Sequence, residues 1–172
     1  MDFIKKQGIG TWITLTTIIL SVIGLILYGV ALNSGMGLSI ANGSQPFYDA
    51  GRDEDSVMIA TVTALGIIAL VAFIASIALK EVKLNGTAAK VTGIVSDALR
   101  IIAPALLFIV MLTFVYGSFT GLGWTFFSNE ELEIYPKAIS TGKTVITGAV
   151  FFLLAAISGT VASFFEITKK QA

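Results

Sequence analysis

Few residues in this chain are suited to chemistry, and each has a plainer use. The stretch Ile139-Ser140-Thr141-Gly142-Lys143-Thr144 ends like a phosphate-cradling loop, in which backbone N–H groups and a lysine hold the phosphates of a nucleotide. That loop requires a glycine five residues before Gly142, and Lys137 stands there, so no nucleotide is expected. Asp49, Asp53, Glu54 and Asp55 offer the oxygens that a hard cation such as calcium prefers. Glu54 and Ala60 occupy the places where a calcium loop needs its glycine and its bidentate glutamate. The acids therefore read as partners of a helix N-terminus rather than metal ligands.

Asp97 and Arg100, three residues apart, read as an interfacial ion pair whose stems reach toward lipid headgroups. Thr14, Thr17 and Ser21 put three hydroxyls on one helical face, which could line a solute path. Such hydroxyls ordinarily bond back to the carbonyl four residues earlier, and that is the reading adopted here.

Two absences narrow the function further. The 172 residues contain no histidine and no cysteine, which removes the commonest general base and metal ligand, any thiolate nucleophile and any disulfide. Scattered carboxylates do not make a catalytic constellation, so the chain is expected not to be an enzyme and to carry no cofactor. Eleven basic and eleven acidic residues cancel, giving no electrostatic reason for a nucleic-acid partner.

The elements that must position these residues follow from composition. With 55% hydrophobic residues, 13% charged and a mean hydropathy of +0.89, the chain has too little polar surface for a globule in water. Four apolar runs, about 9–32, 57–79, 98–118 and 144–165, are each long enough to cross about 30 Å of hydrocarbon as a helix. They are roughly twice the length of a transmembrane strand and apolar on both alternating faces. The expected fold is an all-α integral membrane protein, a left-handed bundle of four transmembrane helices in two hairpins forming a single domain. Outer loops would cover 33–56 and 119–143, and a cytoplasmic loop 80–97. Lys5 and Lys6 ahead of the first run also suit a secretory signal, but the run is too long for one.

Basic residues near span ends stay on the cytoplasmic side. Lys5, Lys6, Lys80, Lys83, Lys90, Arg100, Lys169 and Lys170 fall on one side, and Arg52, Lys137 and Lys143 on the other. Both termini are therefore expected in the cytoplasm, with the protein in a plasma or bacterial cytoplasmic membrane. A faint repetition accompanies this plan, since Tyr28-Gly29 and Tyr116-Gly117 close the first and third runs alike. A duplication of two spans would preserve orientation.

Small residues mark helix contacts in lipid. Gly10, Thr14, Thr17, Ser21, Gly24 and Tyr28 form one stripe on the first run; Val145, Gly148, Phe152, Ala155, Gly159 and Ala162 form another on the fourth. These two faces are expected to pack together, while Pro104 should kink the third run one turn above Arg100. In the second outer loop, Trp124, Phe126 and Phe127 precede Ser128-Asn129-Glu130-Glu131, which offers a capping box for a short helix ended by Pro136. With Phe47 and Tyr48 of the first loop, these rings are candidate contacts for a membrane-protein partner or a second copy.

Two cytoplasmic termini and two unequal outer loops look similar in plan to tetraspan junction proteins of the claudin type. Their Trp-Gly-Leu-Trp motif and cysteine pair are absent here, and no family is assigned. The functional expectation is a non-catalytic accessory, structural or interaction subunit of a membrane complex; the alternative is a small oligomeric permease or channel subunit for an uncharged solute.

Overall fold

A computed structural model describes residues 7–32, 53–82, 84–127 and 135–167. These residues form four helices: α1 (Ile9–Leu32), α2 (Asp53–Glu81), α3 (Gly86–Phe127) and α4 (Tyr135–Ser163). All four are long and apolar enough to cross a membrane, and the described residues contain no β-sheet. The protein is thus an all-helical membrane protein.

Large apolar side chains cover the outside of the bundle, including Ile19, Val22 and Ile26 of α1, Ile67, Val71 and Ile74 of α2, and Ile102, Ile109 and Leu112 of α3. The surface is apolar because its solvent is lipid, so hydrophobicity does not by itself decide which side chains turn inward. α1 packs extensively on α4, α4 on α3, and α3 on α2, whereas α1 and α2 meet over a much smaller area.

The interior is built of phenylalanines seated on glycines. Phe73, Phe114 and Phe152 are fully buried. A methyl group at Gly24 of α1 would come 3.0 Å from Phe152 of α4, one at Gly148 of α4 would come 3.1 Å from Phe114 of α3, and one at Gly159 would come 2.7 Å from Phe73 of α2. The rings of Tyr28, Phe114 and Phe152 stand edge to face, with centroids 5.3 and 6.2 Å apart, the geometry that aromatic quadrupoles favour. Between α1 and α2 the same device recurs with an aliphatic side chain, as Leu25 lies over Gly66.

α3 is much longer than its apolar run. Its 42 residues reach about 63 Å, twice the hydrocarbon thickness, and it continues through Pro104 without interruption. Pro104 cannot donate to the carbonyl of Arg100, and its ring is accepted beside Gly159, where an added methyl would be 3.2 Å away. Residues 119–127, read from sequence as outer loop, are the last turns of this helix. The short helix expected from Ser128 falls on residues 128–134, outside the described residues; α4 begins at Tyr135, with Pro136 in its first turn, where a missing N–H costs nothing. Gly86 opens α3 with φ of 66°, a left-handed conformation that suits the Asn85-Gly86 turn.

Candidate functional site

One cluster of described polar side chains lies at one end of the bundle, where residues 7–11, the end of α2, Arg100 and residues 162–167 meet. A helix begins with orphan N–H donors and ends with orphan carbonyls. Here two such ends serve each other. The N–H of Gly8 donates to the carbonyl of Ile167 at 2.5 Å, and that of Gly10 to the carbonyl of Glu166 at 3.1 Å. α4 closes in a tight turn, with Phe164 and Phe165 bonded back three residues, and the chain then runs alongside the start of α1. A methyl group at Gly10 would lie 2.5 Å from the Phe165 carbonyl oxygen, and one at Gly8 would collide with that of Glu166. Gly-Ile-Gly is what admits the second strand of backbone.

Arg100 completes this clasp. Only 5% exposed, it donates from Nη2 to the carbonyl oxygens of Ala162 and, at 2.7 Å, Phe165. The expected Asp97–Arg100 pair is therefore corrected: Asp97 pairs with Lys80 at 3.0 Å, and Arg100 is held by the carbonyl end of α4. The reason is geometric and electrostatic, since the negative end of a helix dipole offers a buried cation more acceptors than one exposed carboxylate does. Arg100 Nε is buried without a partner.

Two further side chains tie the same corner together. Gln7 Nε2 donates to Glu81 Oε1 at 2.7 Å, linking the chain start to the end of α2. The Thr11 hydroxyl lies 2.9 Å from Gln7 Oε1 and 2.8 Å from the Ile167 carbonyl oxygen, with one proton to share between them. One turn deeper, Ser96 Oγ of α3 donates to the Ser76 carbonyl of α2 at 2.8 Å. Gln7 and Thr11 were not singled out in the sequence, although the two glycines beside them, spaced for a close backbone approach ahead of a long apolar run, were a usable signal.

The hydroxyl face of α1 is buried and turned inward. Thr14 donates to the Gly10 carbonyl at 2.7 Å, Thr17 to that of Ile13 at 3.0 Å, and Ser21 to that of Thr17 at 2.8 Å. Ser158 of α4 stands 2.9 Å from Thr17, a hydroxyl pair at mid-helix. Near the other end, Tyr28 donates to the Ile59 carbonyl at 3.1 Å and lies 3.3 Å from the Thr63 hydroxyl.

The other candidates divide. Gly10, Thr14, Thr17, Ser21 and Gly24 are all buried in α1, and Gly148, Ala155 and Gly159 in α4. Gly24 and Gly148 belong to the α1–α4 contact, but Gly159 faces Phe73 of α2 and Pro104 of α3. Phe126 turns toward α4, where a methyl at Gly142 would be 2.9 Å from its ring, whereas Phe127 is 87% exposed. Thr141, Gly142 and Lys143 lie within α4, so the Gly-Lys-Thr stretch is helix rather than loop. Phe47, Tyr48, Asp49 and the Trp124 side chain lie outside the described residues, and among those described no three His, Cys, Asp or Glu side chains come together.

No family model, curated protein or solved structure matches this chain.

Proposed function

We propose that this protein is a non-catalytic accessory or interaction subunit of a membrane complex, and that the end of the bundle opposite the terminal clasp is its contact surface. The observation that carries the reading is the overreach of α3. Tyr28 and Phe114 are in ring contact; from there α1 continues about 6 Å to Leu32, while α3 continues about 20 Å to Phe127. The last turns of α3, paired with α4 through Phe126 and Gly142, thus rise about 14 Å past the end of α1. They carry exposed Phe119 and Phe127. Exposed rings on a stiff projection suit a protein contact better than they suit water.

In this reading the four helices form two hairpins in a left-handed bundle within a plasma or bacterial cytoplasmic membrane. Both termini are cytoplasmic, as the bias of lysines toward their end favours, and the projection lies outside. Its occupant is another membrane protein or a second copy of the chain.

The test is purification in a gentle detergent followed by mass spectrometry. A larger membrane protein or a second copy should accompany the chain at fixed stoichiometry, and Phe119→Ser with Phe127→Ser should abolish that association while the bundle stays folded. Undiminished association in the double variant removes the assignment of the surface. Solute flux through the purified protein in liposomes would replace the accessory reading with a permease or channel.

A further inference from the structure

α3 turns one face into the bundle and presents the opposite face outward. On the outward face Val95, Ile102, Ile109, Tyr116 and Gly123 recur at every seventh position. Val91, Ala98, Ala105, Leu112 and Phe119 do the same, each four residues ahead of its counterpart. All but the half-buried Gly123 are exposed. Apolar residues alternating at three and four along a helix form a seam into which a second helix packs.

Lipid alone does not cover this face. From Val91 to Gly123 it rises about 48 Å, or about 45 Å at an average tilt of about 20°. Acyl chains about 30 Å thick leave its ends uncovered. α1, with 24 residues and about 36 Å, makes no such demand. The exposed side chains of the α3 face offer about 900 Å², against about 800 Å² that each partner gives to a standard interface.

The face is also complementary to itself. Inside the bundle, Phe152, Phe114 and Phe73 rest on Gly24, Gly148 and Gly159. On the outward face the same two parts are present and unjoined. A methyl group at Gly123 would meet no atom within 4 Å, while Phe119, one turn before it, is 72% exposed and Tyr116 75% exposed. Two copies that share an orientation in a membrane are related by a two-fold axis along its normal, so their α3 helices lie parallel. Each position then faces its own counterpart and the adjoining turn, which brings Phe119 of either copy to Gly123 of the other. Ala98 and Ala105 on the same face let the two backbones approach closely.

We infer that α3 is the seam of a parallel homodimer, with Tyr116 and Phe119 of each copy packed about Gly123 of the second. The inference rests on reading the projecting end of α3 as a contact surface, and it names the occupant of that surface.

The chain contains no cysteine, so a single introduced cysteine reports the seam without background. The full-length protein is purified, diluted into phosphatidylcholine bilayers and oxidised. Leu112→Cys should give several-fold more covalent dimer than Val71→Cys, which lies exposed on α2. Adding Gly123→Leu to Leu112→Cys should lower the yield to the Val71→Cys level, because the seat for the ring is filled while the bundle itself has room for the side chain. Adding Ile26→Leu, on the exposed face of α1, should leave the yield unchanged. Equal yields from Leu112→Cys and Val71→Cys, or an undiminished yield with Gly123→Leu, overturn the homodimer. If a different membrane protein then copurifies in a manner that depends on Phe119 and Phe127, the homodimer falls and the accessory reading stands; if none does, both fall.

Discussion

Arg100 shows how one side chain can hold a helix end that has no ordinary cap. α4 stops at Ser163 without the left-handed glycine that often closes a helix, and the guanidinium binds the carbonyl of Ala162 in its last turn and that of Phe165 just beyond it. Arg100→Met should cost about 3 kcal/mol, because the carbonyls of Ala162 and Phe165 lose a charged donor in a place water reaches poorly. Arg100→Lys should recover part of that loss. Thermal unfolding in detergent measures both, and a wild-type midpoint for the methionine variant would refute the assignment. The hydroxyls of α1 behave differently. Thr14 bonds only within its own helix, so Thr14→Val should be near neutral, whereas Thr17→Val also loses Ser158 and should cost about 0.6 kcal/mol. For Asp97→Asn, the partly exposed partnership with Lys80 predicts a change below about 1 kcal/mol.

At the scale of the helix, glycines sort by what stands in front of them. Gly159→Ala would press a methyl against Phe73 and Pro104 and should destabilise by about 1–3 kcal/mol, with Gly159→Leu disrupting the fold. Gly123→Ala meets no atom within 4 Å and should be neutral or stabilising by up to about 1 kcal/mol, as alanine favours helix. A scan of the two alanine variants in the same detergent separates these cases, and equal midpoints would count against the ring-on-glycine packing. The inward stripe of α1 was legible in the sequence because Gly, Thr and Ser recur at spacings of three and four amid large aliphatic residues. Which helix each small residue faces was not legible, since Gly159 and Gly148 share one stripe yet meet different neighbours. Nor was the length of α3: Gly121 and Gly123 disfavour helix, while Leu122 and Phe126 of the same turns pack on Gly142 of α4, which periodicity in a single segment does not reveal.

Across the whole molecule, the clasp joins residues 8–11 to residues 162–167 as one unit. A chain truncated after Ser163 loses the acceptors for the N–H groups of Gly8 and Gly10 and an acceptor for the Thr11 hydroxyl. Amide exchange at residues 8–11 should then accelerate at least tenfold, a loss of about 1.4 kcal/mol of local protection, while exchange around Tyr28 stays unchanged. Unaltered exchange at residues 8–11 would show that the start of α1 is held independently of residues 164–167. The apolar spans that define this architecture were readable from composition and run length alone, because lipid imposes both. The corner that fastens the spans was not, because it is made of backbone groups brought together from opposite ends of the chain.

The unequal seams of the bundle also bear on how it is made. Of the four helices α1 is made first, touches α2 only lightly, and finds its broad partner in α4, the fourth in chain order. The first helix must therefore wait in the bilayer, or beside the insertion machinery, until the final span arrives. Among the four helices, the fold closes as a ring completed by the last of them to be made. Nascent chains halted before α4 should hold α2 and α3 together while α1 remains free to be crosslinked to lipid or to the insertion apparatus.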